Sequence, residues 1–134
     1  MKTLVALLIT AIMAATSVLA GPAPAISYLE VIAVRSQNKP SWEYISRYQF
    51  MTNVDHSGTW VQVVVDQHGY GTTLVSLNGV AGKLVMSENL LNGRTVYGFR
   101  NYYQFNVKDV KTARFVTTAY LMGGRTLSDL LTIK

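Results

Sequence analysis

Apolar and polar residues alternate most regularly in the middle of the chain. From Trp60 to Gln67, valine occupies every second position, and glutamine and aspartate occupy two of the positions between them. Neighbouring side chains of a strand point to opposite faces of its sheet, so this pattern indicates a strand with one buried face. Thr126–Ile133 alternates in the same way, with Leu127, Asp129, Leu131 and Ile133 on one side. Both stretches are predicted to be β-strands.

Five further stretches are rich in β-branched and aromatic residues and indicate additional strands. They are Ile26–Arg35, Thr72–Leu77, Lys83–Ser87 as a short strand, Arg94–Phe105 and Arg114–Tyr120. Turn pairs separate several of them, at Asn78-Gly79, Asn92-Gly93 and Gly123-Gly124. Many short strands with regular turns predict an all-β fold, specifically a single immunoglobulin-like antiparallel β-sandwich of about seven strands.

Trp42–Met51 fits two patterns. A period of two places Trp42, Tyr44, Tyr48 and Phe50 on one face, as in a strand. A period near 3.6 groups Trp42 with Ile45 and Tyr48, with Ser41 as a cap, as in a short helix. We favour irregular or short helical structure for this segment.

The N-terminus predicts a secretory signal peptide. Lys2 precedes an apolar run from Leu4 to Ala15, and Val18-Leu19-Ala20 supplies the small residues of a cleavage site. The predicted organisation is a signal peptide at 1–20, cleaved near Ala20, a Pro/Ala linker at 21–26 and a β-sandwich domain at 27–134. The alternative is an uncleaved membrane anchor. No later stretch reaches the ~18 apolar residues of a transmembrane helix, so we predict a secreted protein, extracellular or periplasmic.

Charge and cysteine content exclude several classes of function. The net charge is +5, but the basic residues are scattered rather than clustered, so no nucleic-acid partner is predicted. The chain has no cysteine. Thiol catalysis, zinc–thiolate sites and iron–sulfur clusters are therefore excluded, and the fold must hold without disulfides.

Both histidines lie near an aspartate, which raises the question of a metal or catalytic site. His56 follows Asp55, and His68 follows Asp66 by two residues. The predicted strand between them puts the two pairs at opposite ends of the sheet, too far apart for one metal ion. We therefore interpret these four residues as polar loop and turn residues, and we predict neither a metal nor a cofactor.

Motifs for catalysis are absent. The sequence has no G-x-S-x-G, and its few carboxylates lie in no glycosidase-like pattern. A Ser–His–Asp set is assembled in space rather than in sequence, so that arrangement stays open. No catalytic residue is assigned.

Aromatic residues are the most suggestive feature of the predicted surface. In Arg94–Phe105, Tyr97, Phe99, Tyr103 and Phe105 fall on one face, and Val96, Arg100, Tyr102 and Gln104 on the other. Both faces cannot enter one core, so Tyr102 or Tyr103 is expected on an outer face or at an edge. Exposed rings stack on sugars or anchor a protein interface, whereas packed tyrosines only fill a core. The candidate binding aromatics are Trp42, Tyr70 and Tyr102.

Short groups of residues over most of the predicted domain match the pattern of a known family: Ser27-Tyr28-Leu29, Ala33-Val34, Ser36, Asp55-His56-Ser57-Gly58, Val63-Val64-Val65, Gly69-Tyr70-Gly71, Asn78-Gly79, Thr126-Leu127-Ser128-Asp129 and Thr132-Ile133-Lys134. In these residues the sequence resembles an uncharacterised family of small secreted bacterial proteins, the YolA-like group. The resemblance implies export and a β-rich fold of unknown function.

Together these observations predict a non-enzymatic extracellular module that binds a surface, a glycan or a protein partner. The alternative is a small secreted effector or toxin-type protein acting on membranes or competitor cells. A metal-dependent hydrolase is the third possibility.

Overall fold

The computed structural model describes residues 23–108 and 112–134. The predicted signal peptide and the first two linker residues lie outside the described residues. The strands are β1 Tyr28–Ser36, β2 Glu43–Tyr44, β3 Val61–His68, β4 Thr73–Leu77, β5 Val80–Ala81, β6 Lys83–Asn92, β7 Thr95–Phe105, β8 Ala113–Tyr120 and β9 Thr126–Ile133. A short 3-10 turn, Met122–Gly124, joins β8 to β9.

The strands form two antiparallel sheets. One has five strands in the order β2-β1-β3-β7-β6, and the other has four in the order β5-β4-β8-β9. Each pairing between neighbouring strands is antiparallel. The prediction of an all-β fold built from antiparallel strands is confirmed.

The core lies between the sheets, because each sheet turns one face of its strands inward. Phe105 of β7 and Phe115 of β8 meet there edge to face, with ring centroids 5.8 Å apart. Both side chains are fully buried. The surrounding core residues are mostly aliphatic and come from both sheets, among them Val31, Val34, Val61, Val63, Val65, Val75, Leu77, Leu131 and Ile133.

Strands with one buried face match their predictions closely. β3 is Val61–His68, one residue later than predicted, and β9 has the predicted bounds. The prediction of a short strand at Lys83–Ser87 is wrong in extent, because β6 continues to Asn92. β6 lies at a sheet edge, and each of its residues except Leu90 is exposed. Burial therefore imposes no alternation on its sequence.

The face predicted for Tyr97 is wrong. Tyr103 and Phe105 are buried as predicted, but the pairing of β6 with β7 skips Tyr97. This bulge turns Tyr97 toward the outward face, where its ring contacts His68. An extra residue in one strand breaks the period of two on which the prediction depended.

The segment Trp42–Met51 closes one side of the molecule. At its start, β2 pairs with β1 of the five-stranded sheet. At its end, Met51 forms a parallel bridge with Thr132 of β9 in the four-stranded sheet. Between them the Gln49 N–H donates to the Ser46 carbonyl in a turn. The sequence favours irregular or short helical structure here; the segment is mostly irregular, but it forms no helix and includes the two-residue strand β2.

Residues 23–26, which belong to the predicted linker, lie against the end of β3. The Tyr70 N–H donates to the Pro24 carbonyl at 2.8 Å, and Ala25 forms a parallel bridge with Tyr70. Ile26 is buried. This part of the predicted linker therefore packs against the sheets.

Candidate binding surface

Polar and aromatic side chains cover the outward face of the five-stranded sheet. On β3, the residues that alternate with the buried ones point outward, including Gln62, Asp66 and His68. The strand register places Arg35 of β1 opposite Gln62, and Arg100 of β7 opposite Asp66. Three adjacent strands therefore carry polar pairs on this face, and Ala33 and Val64 lie between these pairs.

Trp42 and Tyr102 form an aromatic pair on this face. Their ring centroids lie 5.9 Å apart, with the planes inclined by 63°. The guanidinium carbon of Arg35 lies 4.4 Å from the centre of the Trp42 ring, within the range of a cation–π contact. The pairing of β2 with β1 brings Trp42 beside Arg35. Both rings are half-buried, so each keeps some area open to solvent.

A row of hydrogen-bonded side chains crosses β1, β3 and β7 next to this pair. Arg35 Nε donates to Gln62 Oε1 at 2.7 Å, and Gln62 Nε2 donates to Gln104 Oε1 at 2.9 Å. Gln104 Nε2 then donates to Asn106 Oδ1 at 2.9 Å. An amide offers two donors and two acceptor lone pairs, so the row keeps capacity for a ligand. Arg35, Trp42, Gln62, Tyr102 and Gln104 are called the platform below.

Charged residues border the platform. Arg100 donates from Nε and Nη2 to the two carboxylate oxygens of Asp66 at 2.8 and 2.9 Å. This hydrogen-bonded pairing raises the pKa of Arg100, although burial acts against it. Tyr102 donates its hydroxyl to Glu88 at 3.3 Å. Burial, followed by the Glu88 charge, raises the pKa of Tyr102, so its phenol remains a hydrogen-bond donor at neutral pH.

A second aromatic group surrounds His68 at the other end of the same face. The His68 ring stacks on Tyr28 with centroids 4.4 Å apart, and it meets Tyr97 edge to face at 5.0 Å. Tyr28 begins β1 and pairs directly with His68. The histidine proposed from sequence as a polar turn residue thus belongs to an aromatic stack.

Tyr70 lies apart from the platform. Its ring packs edge to face on Phe99 at 5.3 Å, and its hydroxyl donates to the Val96 carbonyl at 3.2 Å. Of the three candidate aromatics, the structure brings Trp42 and Tyr102 together and places Tyr70 at the end of β3.

His56 lies in a buried polar network. Its Nδ1 is 3.0 Å from Ser36 Oγ, and its Nε2 is 3.2 Å from Glu43 Oε1. The Glu43 carboxylate also accepts the backbone N–H groups of Asn53 and Val54 at 2.8 and 2.9 Å. His56 and Ser36 are fully buried, so the network is internal.

Burial and hydrogen bonding set the protonation states in this network. Burial lowers the pKa of His56, although the Glu43 carboxylate acts in the opposite direction. Burial alone would raise the pKa of Glu43, but the Asn53 and Val54 amides, together with His56, outweigh it and lower that pKa. A neutral imidazole therefore donates from Nε2 to an ionised Glu43 and accepts the Ser36 hydroxyl at Nδ1.

The set Ser36, His56 and Glu43 has the order of contacts found in nucleophilic hydrolases. The Ser36 hydroxyl is fully buried, and its oxygen also accepts the Lys39 N–H at 3.1 Å. The Ser36 hydroxyl is therefore held inside the network and is not presented to solvent in this structure. Sequence reasoning missed Ser36 and Glu43, which lie 20 and 13 residues from His56. No sequence motif links the three positions.

The two Asp–His pairs do not converge on one metal ion. His56 contacts Ser36 at the end of β1, and His68 pairs with Tyr28 at its start. At about 3.3 Å per residue, the length of β1 separates them by roughly 26 Å. Asp55 Oδ1 accepts the Ser57 N–H at 2.8 Å, as in the predicted turn. Among residues 23–108 and 112–134, no three metal-ligating side chains cluster.

A groove of about 510 Å³ separates the sheets on the side opposite the closed edge. Gln67 and Asn101 lie at its base, where Thr73 Oγ1 donates to Gln67 Oε1 at 2.9 Å and Ser87 Oγ donates to Asn101 Oδ1 at 2.7 Å. These polar groups bond one another. A ligand in the groove would therefore meet mainly apolar walls, since the polar groups at its base are already hydrogen-bonded to one another.

In the described part of the chain, no helix is long and apolar enough to cross a membrane. Comparison with known protein families finds a match to the domain of unknown function DUF4879 over residues 21–133. No curated protein and no solved structure matches the chain. Because the family match covers most of the sequence, the chain belongs to the DUF4879 family, which has no assigned activity.

Proposed function

We propose that the protein is a non-enzymatic extracellular module that binds a glycan on the platform. The observation that carries the proposal is the contact of Trp42 with Tyr102 beside the hydrogen-bonded row of Gln62 and Gln104. A sugar ring presents apolar C–H groups on its faces and hydroxyls around its edge. Aromatic rings pack on the C–H faces of a sugar, and amide and guanidinium groups form hydrogen bonds with its hydroxyls.

The shape of the surface favours an extended ligand. The platform spans β1, β3 and β7, whose neighbouring strands lie about 4.8 Å apart. A chain of sugar residues laid across the strands would meet the Trp42–Tyr102 pair and the amide row at the same time. Arg35 holds the Gln62 side chain by a hydrogen bond before the ligand arrives, which lowers the entropy cost of binding.

We also propose an immunoglobulin-like sandwich as the fold. The seven strands longer than two residues support it, with the orders β1-β3-β7-β6 and β9-β8-β4. These correspond to strands A-B-E-D and G-F-C of a constant-type immunoglobulin domain. The chain has no cysteine, so a disulfide between the sheets is not part of the proposal.

Export is part of the same proposal, and residues 1–20 support it. Mass spectrometry of protein recovered from culture medium should find a chain that begins at Gly21. An intact N-terminus on protein held in the membrane fraction would contradict secretion.

The binding proposal is tested with the chain from Gly21 onward, on insoluble peptidoglycan, chitin and cellulose and on an array of soluble glycans. We expect one glycan class to bind. Trp42→Ala and Tyr102→Ala should each weaken that binding, by roughly tenfold for the loss of one ring contact. Thermal unfolding of each variant separates lost binding from lost folding.

Tyr120→Ala is the matched control, since this exposed tyrosine lies on the other sheet. It should bind like the unmodified chain. The proposal is wrong if no glycan binds, or if Tyr120→Ala and Trp42→Ala lose binding equally.

A further inference from the structure

The outward face of the four-stranded sheet differs in chemistry from the platform face. The positions of β4, β8 and β9 that point away from the core hold Leu74, Arg114, Val116, Tyr120 and Leu130, with serines and threonines at the remaining positions. Leu74, Tyr120 and Leu130 are exposed. The face is thus a mixture of apolar, hydroxyl and cationic side chains.

Carboxylates are segregated away from this face. The outward positions of the five-stranded sheet hold Glu30, Asp66 and Glu88. On β9, Asp129 pairs with the buried Thr117, and its Oδ2 accepts the N–H of Val31 at 2.9 Å. None of the outward positions of β4, β8 and β9 is acidic. Arg114 is the one cation at these outward positions, and no carboxylate pairs with it across the described strands.

Two large apolar side chains are exposed near opposite ends of this sheet. Phe50, which is 83% exposed, adjoins Leu130 and Arg114 in a shallow depression. Met122, which is 93% exposed, lies in the turn between β8 and β9, next to the exposed Arg125. The length of β8 separates the two ends by about 25 Å.

The backbone holds Phe50 rigidly in this position. The Thr132 N–H donates to the Phe50 carbonyl at 2.8 Å, and the Thr52 N–H donates to the Thr132 carbonyl at 2.9 Å. These bonds fix the Phe50 backbone, so its exposed ring is presented at a defined place beside Arg114.

We infer that this face docks on an anionic phospholipid bilayer, independently of the platform. Phe50 and Met122 enter the headgroup layer, while Arg114 and Arg125 meet lipid phosphates. Isolated protruding side chains suit a soft layer that deforms around them. A second copy of the chain fits less well, because it would bring arginines together where the described outward strand positions offer no carboxylate.

The test is co-sedimentation of the chain from Gly21 onward with vesicles of two compositions. One is phosphatidylcholine alone, and the other is three parts phosphatidylcholine to one part phosphatidylglycerol. We expect binding to the anionic vesicles, weakened by added salt. Each arginine near an anionic surface is worth roughly fivefold in partitioning, so Arg114→Gln with Arg125→Gln should lower binding by about 25-fold. Phe50→Ser with Met122→Ser should lower it by at least roughly tenfold.

Leu84→Ser with Leu91→Ser is the matched control, because both leucines are exposed on β6 of the other sheet. This variant should partition like the unmodified chain, and thermal unfolding should show that every variant folds. The inference is overturned if the anionic vesicles do not bind, if both vesicle types bind equally, or if the control loses binding equally. A dimer in light scattering that Phe50→Ser with Met122→Ser dissociates would assign the face to a second copy and overturn it as well.

Discussion

His56 and Glu43 meet inside the protein, with 3.2 Å between the imidazole Nε2 and the carboxylate Oε1. Glu43 directly follows Trp42, so the contact that anchors β2 also positions one ring of the platform. The same region holds the end of β9, because the His56 N–H donates to the Lys134 carbonyl and the Lys134 N–H donates to Thr52 Oγ1. A buried network thus supports the exposed surface to which we assign binding.

Acidification should destabilise the fold through His56. Burial lowers its pKa from the ordinary value of 6.5, so below that pH the unfolded chain takes up a proton that the folded chain does not. The free energy of unfolding should therefore fall as the pH drops from about 7.5 to about 5.5, and less so in His56→Gln. Urea unfolding at both pH values measures the difference. Equal pH dependence of stability in the unmodified chain and in His56→Gln would contradict this role of His56. His68→Gln is the control for replacing a histidine elsewhere.

Removal of the Glu43 carboxylate should cost more stability than removal of an exposed one. Glu43→Ala leaves the backbone amides of Asn53 and Val54 without their acceptor, which should lower the free energy of unfolding by about 1–3 kcal/mol. Glu43→Gln keeps one acceptor oxygen and should lose less. Glu88→Ala is the matched control and should stay within about 0.5 kcal/mol of the unmodified chain in urea unfolding. Equal losses for Glu43→Ala and Glu88→Ala would refute the structural role of the network.

Gly98 permits the close approach of β7 to β3 beside the Tyr97 bulge. A Cβ atom at Gly98 would overlap the Gln67 carbonyl oxygen and lie 2.9 Å from the His68 Cα. At Gly79 the space is open and only the positive φ of 81° is unfavourable, so Gly79→Ala should lower the free energy of unfolding by about 1–2 kcal/mol. Gly98→Ala should lower it by more. Chemical denaturation of both variants gives the comparison. A smaller loss at Gly98 would show that the two strands can separate without penalty.

Hydrogen exchange should distinguish the edge strand β6 from the central strand β3. β3 lies between β1 and β7 and is largely buried, whereas β6 has one neighbour and exposed side chains. The amides of β3 should exchange only on global unfolding, and those of β6 by local opening. Mass spectrometry of peptides from a time course measures both. Equal protection of the two strands would mean that another surface covers β6.

The bounds of strands with one buried face could be predicted from the sequence, but those of the exposed edge strand β6 could not. The valines of β3 and the alternating residues of β9 must face the core, so their period of two is strong. β6 has no such constraint. The bulge at Tyr97 depends on pairing between two strands, which no local pattern in β7 specifies.

The candidate site was predictable only in part for the same reason. Alternation places either Tyr102 or Tyr103 on an outer face or at an edge, and Trp42 is a candidate from its residue type. Their contact, and the position of Arg35 over Trp42, depend on the pairing of β2 with β1. The approach of Ser36, Glu43 and His56 likewise requires three separate segments to meet.

The most direct test of the central claim is the fluorescence of Trp42 during ligand binding. The chain has two tryptophans, so Trp60→Phe leaves Trp42 as the single emitter. Titration with the glycan class found in the binding panel should shift or quench the Trp42 emission. The dissociation constant fitted to this change should equal the one measured independently. The paired variant Trp42→Phe, which keeps Trp60, should bind more weakly and show no such change. Unchanged Trp42 emission at saturating glycan would contradict recognition on the platform.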